Sequence, residues 1–112
     1  MKLRIKGNSL RLRLTRSEVA QLAETGLVEE LTNFGSSHLI YAIKTAQQDQ
    51  LSAGFSNGRI TVQIPLEFAA AWPDNEVVGL QYEGAGLQIL VEKDFVCIDR
   101  KEEDQSDKVE EK

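Results

Sequence analysis

The chain has 112 residues, 41% hydrophobic and 28% charged, with one cysteine, one histidine and a formal net charge of −5. This length suits one domain around one core, and no apolar run approaches the roughly 20 residues that a membrane-spanning helix needs. A single cysteine allows no internal disulfide, and a start that alternates charged with apolar residues lacks a secretory core, so the expected location is cytoplasmic.

Lys2–Lys6 alternates with period two, which predicts a strand with Leu3 and Ile5 inward and Lys2, Arg4 and Lys6 outward. Gly7-Asn8 reads as a turn, and Ser9–Leu14 as a second strand with Leu10, Leu12 and Leu14 inward and Arg11 and Arg13 outward. Thr15 followed by Glu18 is a capping box, opening a helix from about Arg16 that Gly26 stops. Leu27 to about Phe34 and His38–Lys44 read as strands around a Gly35-Ser36-Ser37 turn, and Thr45–Gln50 as a polar linker. Leu51–Phe55 and Arg59–Ile64 follow, joined by Asn57-Gly58, a strong hairpin signal. Pro65 opens a second helix with Phe68, Ala69 and Trp72 inward. Glu76–Tyr82 and Leu87–Val91 form the last predicted hairpin.

The two halves repeat. At an offset of 50, Leu10, Leu12 and Leu14 fall on Ile60, Val62 and Ile64, and Leu39, Ile40 and Tyr41 fall on Ile89, Leu90 and Val91. A unit of this length cannot bury its apolar face alone, so the halves should close on each other. The predicted fold is mainly β with two short helices (α+β). It is a pseudo-two-fold small barrel of two strand–strand–helix–strand–strand repeats, about 2–44 and 51–93, in one domain spanning 1–98. Residues 99–112 hold seven acids and four bases with one aliphatic residue, and are expected to form a disordered acidic tail.

Charge is polarised along the chain. Lys2, Arg4, Lys6, Arg11, Arg13 and Arg16 stand within residues 1–16, which contain no acid. Paired as a hairpin, these strands present a cationic ribbon suited to phosphates, or a solvated face that discourages edge pairing. Catalysis has weaker candidates. Cys97 and His38 are the only thiol and imidazole, and no feature near Cys97 would activate it. Asp94, Cys97 and Asp99 form a D-x-x-C-x-D run without the paired spacing of a zinc site. Gly84-Ala85-Gly86 is a hairpin turn with no helix after it, not a phosphate loop. No enzymatic activity, metal or cofactor is expected.

Gly7-Asn8-Ser9, Arg13-Leu14 and the helix after them resemble the opening of the AbrB/MazE family of bacterial swapped-hairpin regulators. Gly58-Arg59-Ile60-Thr61-Val62, Ile64-Pro65, the helix and Asp74-Asn75-Glu76-Val77 resemble that family's strand–Pro–helix run. Thr15 stands in place of the family's proline, Gln63 of its arginine, and Asp74-Asn75 of its Gly-Asp. The resemblance implies one chain supplying both swapped hairpins, and a DNA-binding regulator. The matching contact positions are Lys6, Asn8, Ser9 and Arg13, with Arg11 and Arg16 extending the surface. The full chain is also similar to a small bacterial family of unknown function, in Lys6-Gly7-Asn8-Ser9, Arg13–Val19 and Glu92–Cys97. Three readings stay open: a DNA-binding regulator using the basic strands, a protein-interaction module with the acidic tail as tether, and a structural domain of unknown role.

Overall fold

A computed structural model describes residues 1–95. Cys97, Asp99 and the acidic tail lie outside the described residues. The strands are β1 (Lys2–Lys6), β2 (Ser9–Leu14), β3 (Leu27–Asn33), β4 (His38–Ala46), β5 (Ser52–Ser56), β6 (Arg59–Pro65), β7 (Gly79–Gly84) and β8 (Leu87–Lys93). Helix α1 (Arg16–Thr25) lies between β2 and β3. Helix α2 (Leu66–Ala71), followed by a 3-10 turn at Trp72–Asp74, lies between β6 and β7. The result is a mainly β, small barrel-like fold with two short helices.

Local chemistry accounts for the punctuation. The Thr15 side chain accepts from the Glu18 N–H while Glu18 accepts from the Thr15 N–H, so two orphan donors of the first turn are satisfied. Gly26 ends α1 at φ 81°, where a side chain would be strained. Asn57 and Gly58 turn β5 into β6 with φ of 51° and 72°, the mirror-image turn that suits the strand twist.

The strands assort into two mixed sheets, β1-β2-β8-β7 and β3-β4-β6-β5. Each sheet takes one hairpin from each half of the chain, joined by a central parallel pair, β2 with β8 and β4 with β6. Leu12 therefore stands between Leu3 and Val91, and Val62 between Ala53 and Ile43. The facing sides of the sheets and the two helices share one core, in which Leu12, Leu14, Leu22, Ile43, Val62, Ile64, Trp72 and Val91 are fully buried.

The structure departs from the sequence reading in three places. The uniform 50-residue offset fails in the second hairpins. Ile43, not Tyr41, takes beside Val62 the place that Val91 takes beside Leu12. The β3–β4 hairpin is longer at its tip, and a slip of two residues keeps every side chain on its face, so the apolar pattern cannot reveal it. The last hairpin starts at Gly79 rather than Glu76. Val77 accepts from Trp72 Nε1 at 2.8 Å and Lys93 Nζ donates to the Asn75 carbonyl at 2.7 Å, which holds this stretch against the core end instead of in a sheet. Ile5 and Phe55 share a face with buried neighbours but are 57% and 70% exposed, because the hairpin tips extend past the core.

Between β1 and β3 lies a charged cluster. The Met1 ammonium stands 2.6 Å from both Glu18 and Glu30, and the Tyr41 hydroxyl donates to Glu30 at 3.3 Å. Burial presses the ammonium pKa down, but the hydrogen bonds and charges of Glu18 and Glu30 outweigh it and raise the value above the ordinary 8.0. Burial pushes Glu18 up, but bonds from the ammonium and Thr15 outweigh it and hold the carboxyl below the ordinary 4.5. The ammonium's contribution to stability is present below its ordinary pKa and lost as pH rises through the raised one. That of Glu18 is present above its ordinary pKa and lost as pH falls through the lowered one. Denaturation midpoints should therefore be highest between these limits and fall on both sides. A midpoint constant from neutral pH to well above 8.0 would contradict the ammonium's role.

Candidate anion-binding face

The outer face of the first sheet follows from register. Cross-strand partners share a face, so Lys2, Arg4 and Lys6 of β1 lie beside Arg13, Arg11 and Ser9 of β2, and these beside Glu92, Leu90 and Gln88 of β8. Glu83 and Gln81 of β7 continue the rows of Gln88 and Leu90. The face is cationic at the β1–β2 tip and mixed at its other end.

At the mixed end the arginines are engaged. Arg11 donates from Nε to Glu92 Oε1 at 2.9 Å and its Nη2 lies 2.8 Å from the same oxygen. Arg13 Nη2 lies 3.3 Å from Asp94, and Lys2 Nζ 2.9 Å from the same carboxylate. Arg13 Nε sits 3.8 Å from Glu92 without a hydrogen bond. Arg11 and Arg13 lie on the outer face, as the alternation of β2 predicts, but there they are paired charges. Their partners Glu92 and Asp94 are only 19% and 20% exposed, so removing both arginines would leave part-buried Glu92 without a cation, while Asp94 would keep Lys2.

The other predicted residues divide. Lys6 is exposed at the tip, and Ser9 is opposite it. Asn8 is exposed but engaged, its side-chain amide donating to the Gly86 carbonyl while its own carbonyl accepts from the Gln88 N–H. It ties the β1–β2 turn to the β7–β8 turn. Arg16 lies apart at the start of α1, its guanidinium 4.4 Å from the Phe95 ring centre. Thus Lys6, Ser9 and Arg11 come together, Arg13 is drawn toward Asp94, and Asn8 and Arg16 serve elsewhere.

Lys6, Ser9 and Arg11 line a cleft of about 410 Å³ with Arg4, Gln88 and Leu90. Arg4 and Lys6 make no ion pair with the described residues. Arg4, Gln88 and Glu92 are the members that sequence reasoning left out of the site. The alternation of β1 marks Arg4, but Gln88 and Glu92 become visible only once β8 is placed beside β2.

The second half lacks a matching face. Ser52, Gly54 and Ser56 stand where β1 carries cations, and Arg59 is paired with Glu29 at 2.9 Å. Of the D-x-x-C-x-D run only Asp94 is described, and it serves Lys2 and Arg13. His38 is exposed at the start of β4. Among the described residues no helix is long and apolar enough to cross a membrane.

These features define a small, mainly β domain that carries one charged sheet face with a cationic cleft at its tip. The chain belongs to a family of unknown function, DUF7009, whose model matches residues 1–112. No curated protein and no solved structure matches it.

Proposed function

We propose that the protein is a non-enzymatic binding module, and that its partner is DNA, met through the tip of the β1–β2 ribbon. The observation that carries this reading is the pair Arg4 and Lys6, cations with no acid partner among the described residues, sharing a cleft with Arg11. A two-stranded ribbon bearing cations on its outward face fits a groove and its flanking phosphates. The resemblance of Gly7-Asn8-Ser9 and Arg13-Leu14 to the swapped-hairpin regulators supports the same partner. The test is duplex binding against salt. With Arg4, Lys6 and Arg11 on phosphates, log K should fall with log salt at a slope of about −2.7. No duplex affinity at low salt would end the DNA reading.

A protein partner is favoured by a different observation. Leu31 is 55% exposed on the outer face of the other sheet, cross-strand from Ile40, and Phe34 beyond it is 67% exposed. On this reading binding is weakly salt-dependent and random duplex does not compete.

A further inference from the structure

We infer that the cleft at the β1–β2 tip is a site for one phosphate monoester group, held by Arg4, Lys6 and the free edge of Arg11. This deepens the reading that the face meets an anion, and rests on it. Arg4 and Arg11 stand directly opposite each other in the antiparallel pair, where like charges destabilise a sheet. Glu92 relieves Arg11 alone. It lies one step toward the C-terminal end of β8 and takes the Nε–Nη2 edge, while Ser9, Lys6 and Gln88 lie on the other side. In the row of Lys6, Ser9 and Gln88 the nearest acid is Glu83 of β7. It stands three strands from Lys6, about 14 Å at normal strand spacing.

The tip therefore holds two positive charges, Arg4 and Lys6, that no described residue balances, and it places them against a third cation, the Arg11 guanidinium. A phosphate monoester dianion carries the matching charge. A tetrahedral oxyanion can also take the Ser9 hydroxyl and the Gln88 amide as further donors, beyond what a carboxylate's two oxygens would use. A phosphodiester, with one charge, leaves one cation unbalanced. The group can belong to a small phosphorylated compound or to the phosphorylated end of a nucleic acid.

The test uses the full chain and inorganic phosphate, titrated at constant ionic strength against chloride. A saturable rise in Tm is expected, with amide shifts centred on Lys6, Ser9, Arg11 and Gln88. The double replacement Arg4→Gln, Lys6→Gln should weaken phosphate at least tenfold, while Arg59→Gln on the other sheet leaves it unchanged. Arg4→Gln alone should hold or raise the Tm in phosphate-free, low-salt buffer, since it removes the opposed charge. A response equal to that of chloride, or unchanged affinity in the double variant, overturns the inference. Salt-dependent duplex binding without phosphate binding in the cleft also overturns it, yet leaves the DNA reading standing. Phosphate binding without duplex binding does the reverse. A strand with a 5′-phosphate that binds tighter than its 5′-hydroxyl twin assigns the group to a nucleic-acid end, and equal binding assigns it to a small compound.

Discussion

Replacing Arg4 and Lys6 together by glutamine is expected to lower duplex affinity by about tenfold or more at low salt, and to flatten the salt slope by about two. Both side chains project from the outer face and hold no acid among the described residues, so the Tm should not fall. The contrasting pair is Arg11→Gln with Arg13→Gln. It too weakens binding through Arg11, but it leaves Glu92 without a cation and Asp94 with Lys2 alone. The arginines are more than a third exposed, so solvent screens much of the effect, and the expected loss is about 1 kcal/mol. The two variants are told apart by thermal melting beside the binding titration. Equal melting temperatures would show that the Glu92 and Asp94 pairs contribute nothing.

Gly79→Ala should be the most damaging single methyl in the described fold. A Cβ there would lie 2.0 Å from the Val91 carbonyl oxygen and 2.9 Å from Glu92 Cα. Both neighbours are backbone of β8, whose central place between β2 and β7 prevents it from moving aside. Overpacking against a fixed wall costs about 3 kcal/mol, or about 15 °C in Tm for a domain of this size. Gly54→Ala is the control, because nothing lies within 4 Å of its added Cβ. It should leave the Tm unchanged or slightly raised through a less flexible unfolded chain. A Gly79→Ala variant that melts with Gly54→Ala would show that β7 does not pack on β8 as described.

What the sequence makes legible here is what neighbours along the chain decide. Thr15 and Glu18, Gly26, and Asn57-Gly58 act within a few residues, and the structure keeps each at its predicted place. The buried position of Trp72 was also readable from its helical spacing with Phe68. What escaped depends on distant partners. The two-residue slip in the second hairpins is silent because a strand has period two. The exposure of Ile5 and Phe55 depends on how far the hairpins outreach the core. For the site, the alternation of β1 and β2 gave Lys6 and Arg11, and the resemblance to the swapped-hairpin regulators gave Ser9. The answer to which cations stay unbalanced came from β8, 81 residues away in the case of Arg11 and Glu92.

The most direct measurement is an amide shift map of the isotope-labelled full chain during titration with a short duplex at low salt. The account predicts shifts confined to the outer face at the β1–β2 tip, at Arg4, Lys6, Ser9, Arg11 and Gln88, that fade as salt is added. Shifts centred instead on Leu31, Phe34 and Ile40 of the other sheet, or none at all, would contradict it.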